Sequence, residues 1–186
     1  EAWASAVHIR KLIDKAHDKG LPVIYTTGIR RSDNWDAGSW AWKNSRNAED
    51  ATGNPTNLNP NEIIAEIAPS PQDIVIQKRK PSGFAGTDLA SYLNLLDCDS
   101  LILTGTTTSG CIRATVLDAF SLNYRVTVAE EACFDRSEVS HAINLCDMNA
   151  KYADVLKTQA VLDFFDTLPQ GQCVLPKGAN PVPGGG

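Results

Sequence analysis

Apolar residues recur along the chain in two alternating patterns, a helical spacing and short continuous runs. From Ala2 to Lys19 they fall near helical spacing, and Gly20 follows where such a helix ends. Leu21–Thr27 is then a short run rich in β-forming residues. A helix, a glycine and a buried strand in this order are typical of α/β proteins.

The same alternation continues beyond residue 71. Strands are predicted at Asp73–Gln77, Ser100–Thr104 and Arg125–Ala129, and helices at Thr87–Leu96 (with Thr87 as N-cap), Cys111–Leu122, Ser137–Met148 and Thr158–Phe165. Ser100–Thr104 is uninterruptedly apolar, as in strands buried on both faces of a parallel sheet. We therefore expect a three-layer α/β/α domain over residues 1–168, with a mostly parallel sheet and helices on both faces. Residues 169–186 are rich in proline and glycine, and we expect them to form an irregular tail.

Residues 28–71 read as a long loop with a short helix at 61–68. Trp35, Trp40 and Trp42 are crowded into this loop. A loop of this length inside a compact domain is usually functional or partly disordered.

Composition narrows the function classes. The 186 residues are 42% hydrophobic and 21% charged, which argues against disorder. With 17 basic and 22 acidic residues the net charge is −5, which argues against a nucleic-acid binder working through a basic face. No run approaches the roughly 18 apolar residues that span a bilayer, and the charged amphipathic N-terminal stretch does not resemble a signal peptide.

Neither cysteines nor histidines suggest a metal site. The five cysteines are an odd number with no CxxC spacing, and the three histidines form no HxxxH or HExxH cluster. Reduced thiols in a cytoplasmic protein are the simpler interpretation. We expect no metal and no cofactor, no membrane contact, and a small molecule as the partner.

The sharpest chemical feature is the segment Leu101–Thr115. An apolar strand ends, a turn of small residues follows, and Cys111 opens a helix. The N–H groups and positive dipole end of a helix favour a thiolate, and the same N–H groups can hold an oxyanion. A small buried cysteine at a helix start is the structural alternative.

A second strand runs into cations at its carboxyl end. Lys78 is the first of them, and a lysine close to a cysteine stabilises the thiolate. Taken alone, Lys78, Arg79 and Lys80 favour a solvated charge run over a functional cation by about two to one. Ligands of open α/β sheets bind beyond the carboxyl ends of the strands, where both motifs lie.

Together the two motifs resemble the isochorismatase-like cysteine hydrolase family over residues 2–168. The pattern Lys-x-x-x-Ser-x-Phe-x-Gly-Thr stands at Lys78–Thr87, and Gly-x-Thr-Thr-Ser-Gly-Cys stands at Gly105–Cys111. Glu131–Arg136 and Asp147–Tyr152 are similar to the N-carbamoylsarcosine and maleamate amidase branch.

The resemblance implies a Cys–Lys–Asp amidohydrolase that releases ammonia through a thioester. Cys111 matches the nucleophile and Lys78 the active-site lysine. The Thr106–Thr107 bond matches a cis peptide, and the N–H groups of Thr107 and Cys111 match the oxyanion hole. Arg136 matches the arginine that holds a substrate carboxylate, a role suited to its bidentate fork. Homo-oligomers, commonly tetramers, are also implied.

Two departures from related proteins matter. The region Thr27–Asp33 contains no histidine, which disfavours a metal-dependent nicotinamidase. The family's catalytic aspartate precedes the first helix, in a central strand, whereas this chain begins within that helix. Asp14 and Asp18 lie in the helix and do not replace it. Since a domain without its central strand is not expected to fold, we expect the sequence to be part of a longer protein.

The leading hypothesis is an amidase for a small carbamoyl or carboxamide substrate bearing a carboxylate. A biuret or ureide hydrolase is the alternative within the enzyme class. A non-catalytic interaction protein is expected only if the upstream aspartate is absent. Thiol redox sensing by Cys111 has little support, because no resolving cysteine lies nearby in sequence. The tryptophan-rich loop either covers the pocket or forms an oligomer contact.

Overall fold

The computed structural model describes residues 2–43 and 61–173, which alternate between helices and parallel strands. The strands are β1 (Ile24–Gly28), β2 (Ile74–Lys78), β3 (Ser100–Thr106), β4 (Arg125–Phe134) and β5 (Asp154–Leu156). The α-helices are α1 (Ala2–Lys19), α2 (Ser39–Lys43), α3 (Leu89–Leu95), α4 (Arg113–Ser121), α5 (Glu138–Lys151) and α6 (Thr158–Thr167). Short 3₁₀ turns lie at Trp35–Ala37 and Ala65–Ile67, and a π-helical turn at Thr108–Ile112.

The strands pair in parallel within two sheets. β1 pairs with β2, and β4 lies between β3 and β5. The single sheet expected from the sequence is therefore divided among the described residues into a pair and a triplet. Helix α3 spans the division, because its Leu89 and Leu93 pack against Ile76 of β2 and Leu101 of β3.

Helices cover both faces of the triplet because alternate residues of β4 point in opposite directions. Val126 and Val128 face α4 and α5, where they pack with Val116 and Met148. Ala129 and Ala132 face α1 and α6, in a cluster whose helical members are Leu12, Ala16, Val161 and Phe165. This arrangement confirms the three-layer α/β/α fold.

Several predicted boundaries needed correction. Strand β4 continues five residues past the predicted end at Ala129, and β5 was not predicted. The expected helix at 61–68 is only the 3₁₀ turn Ala65–Ile67. Helix α3 begins at Leu89 rather than Thr87, although the Thr87 hydroxyl still accepts the Leu89 N–H at 3.3 Å.

Other expectations lie beyond what the structure tests. Residues 44–60 of the predicted loop and 174–186 of the predicted tail lie outside the described residues. The domain boundary at residue 168 stays a prediction. Among the helices of the described ranges, none combines the length and apolar character needed to cross a membrane.

Candidate active site

Lys78 and Cys111 are brought together at the carboxyl ends of two strands. Lys78 is the last residue of β2, and its Nζ lies 3.4 Å from the Cys111 Sγ. The same ammonium donates to the carbonyls of Lys80 and Pro81 at 3.1 and 3.0 Å. Lys78 is only 8% exposed. Its position therefore excludes a solvated charge run, since the cation is buried and directed at the sulfur.

Cys111 lies in a helical turn that begins earlier than the sequence suggested. We call Thr106–Cys111 the nucleophile turn. The Thr107 carbonyl accepts the N–H of Gly110 at 3.0 Å and of Ile112 at 3.2 Å, the second being an i→i+5 bond. The helical backbone thus starts at Thr108 with a π turn, and Cys111 does not open the α-helix, which begins at Arg113. The bond between Thr106 and Thr107 is cis.

Two glycines shape the backbone around the nucleophile turn. Gly105 has a φ of +114°, a conformation that side-chain-bearing residues rarely adopt. At Gly110 the constraint is space, because a Cβ there would lie 2.6 Å from the Thr107 Oγ1. Gly105 therefore provides the backbone conformation, and Gly110 leaves room for the Thr107 side chain that a larger residue would occupy.

Thr115 joins the two sequence motifs through one hydroxyl. Its Oγ1 donates to the Cys111 carbonyl at 2.7 Å and accepts the Gly83 N–H at 2.9 Å. This hydroxyl therefore connects Gly83, in the loop after Lys78, to the first turn of α4, the helix that follows Cys111. Sequence reasoning did not single out this threonine, because a threonine in a helix carries no distinctive signal.

The opposite side of the nucleophile turn contacts the segment that links β4 to α5. The Asp135 carboxylate accepts the Ser109 N–H at 2.7 Å, and His141 Nδ1 shares a hydrogen bond with the Thr108 hydroxyl at 2.8 Å. Partial burial opposes ionisation of Asp135, but hydrogen bonds from Ser109 and the Arg136 N–H outweigh it and lower its pKa. The sequence analysis missed both Asp135 and His141.

Arg136 lies beside this contact but projects outward. Its N–H donates to Asp135 at 2.7 Å, and the residue is exposed. Within residues 2–43 and 61–173, no ion pair of its guanidinium is found. An exposed guanidinium one residue after Asp135, which contacts Ser109, is accessible to an anionic substrate group, and its binding role stays a prediction.

The described thiols differ in environment. Burial raises the pKa of Cys133 to about 12, so this thiol stays protonated at neutral pH. Cys111 is partly exposed and lies next to a cation. In the described part of the chain no three His, Cys, Asp or Glu side chains group closely enough to hold a metal ion.

The tryptophan-rich loop is fastened next to Lys78. Asp36 pairs with Arg79 at 2.9 Å, and Lys80 donates to the Asp36 carbonyl at 3.2 Å. Trp40 packs against the Arg30 guanidinium, whereas Trp35 is 79% exposed. The loop therefore borders the site, and its role as a cover or as an oligomer contact stays open. The oligomeric state itself also stays a prediction.

Comparison with known proteins identifies the family of this chain. The protein-family model described as the isochorismatase domain matches residues 4–160 of the sequence. The chain therefore belongs to the isochorismatase family. A structure of an isochorismatase family protein from Desulfovibrio vulgaris subsp. vulgaris str. Hildenborough superposes with a TM-score of 0.78 at 29% identity, covering 89% of this chain and 86% of that one.

Two curated relatives are named for amide hydrolysis. N-carbamoylsarcosine amidase from Arthrobacter sp is 33% identical over 173 residues, covering 91% of this chain and 64% of the relative. Maleamate amidohydrolase from Pseudomonas putida is 33% identical over 149 residues, covering 80% of this chain and 68% of the relative. The chain thus spans about two thirds of the length of these proteins.

Proposed function

We propose that this chain carries the nucleophile, lysine and oxyanion hole of an amidohydrolase that releases ammonia from a small carbamoyl or carboxamide substrate. The observation that carries the proposal is the 3.4 Å contact between Lys78 Nζ and Cys111 Sγ at the strand ends. A buried ammonium beside a thiol favours the thiolate, which is the nucleophilic form.

In the proposed reaction the Cys111 thiolate attacks the substrate carbonyl, and a C–S bond forms. The tetrahedral oxyanion accepts hydrogen bonds from the N–H groups of Thr107 and Cys111. The C–N bond then breaks, and the nitrogen takes a proton and leaves as ammonia. Water hydrolyses the thioester and regenerates the thiol. The family resemblance assigns the proton transfers to an aspartate; Asp14 does not serve, since it lies in α1 paired with Arg10.

A carboxylate-bearing substrate is the more specific part of the proposal. The relatives named for N-carbamoylsarcosine and for maleamate support it, since both compounds carry a carboxylate next to the group that is cleaved. The exposed guanidinium of Arg136, next to Asp135 and the nucleophile turn, supplies the matching charge. A biuret or ureide substrate is the alternative, because the first of these relatives acts on a carbamoyl group.

The test is ammonia release from a panel of small amides and ureides, each offered with and without a carboxylate, using the full-length protein. We expect turnover to depend on Cys111, so Cys111→Ala should abolish it without changing the melting temperature. Cys146→Ala, which removes an exposed thiol on α5, is the matched control. Ammonia release that survives in Cys111→Ala would refute the assignment. No release from any substrate would favour a non-catalytic interaction protein.

A further inference from the structure

The contacts of Asp135 and His141 fall between the two proposed oxyanion donors. Asp135 binds the N–H of Ser109 and His141 binds the hydroxyl of Thr108. The donors themselves are the N–H groups of Thr107 and Cys111, one residue before and two residues after these positions. Fixing residues 108 and 109 therefore fixes the separation and direction of both donors.

Asp135 and His141 lie in the segment from the end of β4 to α5, and helix α5 is itself held by several contacts. The Ser137 hydroxyl accepts the Ser140 N–H at the start of α5, and Leu145 and Met148 anchor the helix in the core. Asn144, which is 8% exposed, accepts a hydrogen bond from Arg113 of α4 at 2.6 Å. The helix is thus packed both on the sheet and on the helix that follows the nucleophile.

The pairing of β3 with β4 brings the segment after β4 next to the nucleophile turn. Gly105 and Thr106 pair with Cys133 and Phe134, so β4 ends alongside the start of the turn. Asp135 is the next residue. Thr108 is fully buried, so its hydroxyl cannot form a hydrogen bond to bulk water and depends on a protein partner.

We propose that Asp135 and His141 are positioning residues, which hold residues 108 and 109 so that the N–H groups of Thr107 and Cys111 converge on one oxyanion. This inference rests on the proposed function for its catalytic consequence. Asp135 acts here as a hydrogen-bond acceptor, with one carboxylate oxygen on the Ser109 N–H and the other on the Arg136 N–H. A misplacement of about 1 Å costs up to about 100-fold in rate.

The first measurement does not need activity. Hydrogen exchange of peptides spanning residues 105–112 is compared in wild type, Asp135→Ala and His141→Ala. Loss of a charge-assisted acceptor should accelerate exchange of this segment about tenfold or more in Asp135→Ala. Val139→Ala is the matched control, since Val139 lies between the two residues and is 68% exposed. Unchanged exchange in both variants would overturn the proposal, whatever the activity.

The second measurement separates positioning of the donors from activation of the sulfur. In both alanine variants kcat should fall about 10–100-fold with little change in KM. The alkylation rate of Cys111 by iodoacetamide, followed on its peptide by mass spectrometry, should stay within about twofold, because alkylation forms no oxyanion. A parallel loss of alkylation and kcat would place the effect on the thiolate and overturn the proposal.

Conservative variants complete the test. His141→Asn keeps a polar atom where Nδ1 lies and should recover most of the kcat lost in His141→Ala, whereas Thr108→Val should reproduce that loss. Asp135→Asn keeps one acceptor oxygen and should retain more activity than Asp135→Ala. If Asp135→Asn is as inactive as Asp135→Ala, the carboxylate transfers protons and the positioning role is wrong. If wild type hydrolyses no amide, the proposed function fails, and hydrogen exchange alone still decides whether these residues hold the turn.

Discussion

Replacing Gly110 by alanine should impair the nucleophile turn in a way that a second substitution repairs. The added Cβ would lie 2.6 Å from the Thr107 Oγ1, whereas ordinary contacts begin at 3.4 Å. Either the two residues move apart by about 0.8 Å or the Thr107 side chain leaves its rotamer. Because Thr107 supplies one proposed oxyanion donor and Gly110 precedes the nucleophile, a displacement of this size is expected to lower kcat by up to about 100-fold.

The assay is ammonia release, with the melting temperature as a control for folding. Removing the obstructing atom should restore activity, since the next Thr107 atom, Cβ, is 3.9 Å from the added group. The double variant Thr107→Ala/Gly110→Ala should thus exceed Gly110→Ala by about tenfold or more, a coupling expected for residues in contact. Thr107→Val/Gly110→Ala keeps both γ positions occupied and is the matched control. Full activity in Gly110→Ala, or equal activity in the two double variants, would refute the reasoning.

Three further predictions concern charges. Lys78→Met should slow alkylation of Cys111 by about tenfold or more, because an ammonium 3.4 Å from a thiolate contributes strong attraction; an unchanged rate would contradict the role. Arg136→Ala should raise KM about 10–100-fold for an acidic amide but hardly for a neutral one, and an equal effect would exclude carboxylate binding. Burial opposes ionisation of Glu131, yet hydrogen bonds from the Thr158 N–H and hydroxyl lower its pKa below 4.5. The ionised Glu131 therefore stabilises the folded protein above that pH, and this contribution is lost as the pH falls. The free energy of unfolding of Glu131→Gln should therefore lie below that of wild type at pH 7, by about 1 kcal/mol or less, and the difference should shrink as the pH falls below 4.5. A difference that does not change with pH would contradict this origin.

The positions of Lys78 and Cys111 were accessible from the sequence because each follows an apolar run. Parallel strands place their carboxyl ends at one edge, so two motifs that end strands are expected to meet there. The helical periodicity of residues 2–19 gave the bounds of α1 correctly for the same reason, since burial of one face leaves a regular pattern.

Asp135 could not be found this way because β4 does not follow a regular alternation. Ser100–Leu103 pairs with Arg125–Val128, and the register then shifts so that Gly105 pairs with Cys133. Extra residues of β4 are accommodated in this irregularity, and they include Glu130 and Glu131, which lie past the predicted end of the strand at Ala129. A local pattern does not reveal a bulge that is stabilised by pairing with a distant strand.

His141 and Thr115 were missed for a different reason. Each lies on a helix among residues of ordinary composition, and its significance comes only from the partner that the fold provides, Thr108 for one and the Cys111 carbonyl for the other. The contacts that matter most, His141 with Thr108 and Thr115 with the Gly83 N–H, join residues far apart in sequence and leave no periodic signal. Such residues are predictable only after the topology is known.

The three hydrogens of the Lys78 ammonium are all committed, two to the backbone carbonyls of Lys80 and Pro81 and one to sulfur. The ammonium therefore has a fixed orientation, which a planar guanidinium at the same position cannot reproduce. Once sulfur is acylated in the proposed cycle it no longer carries negative charge, so the third hydrogen loses its strongest acceptor. The same ammonium that stabilises the thiolate before attack thus has one hydrogen free for another acceptor while the thioester is hydrolysed.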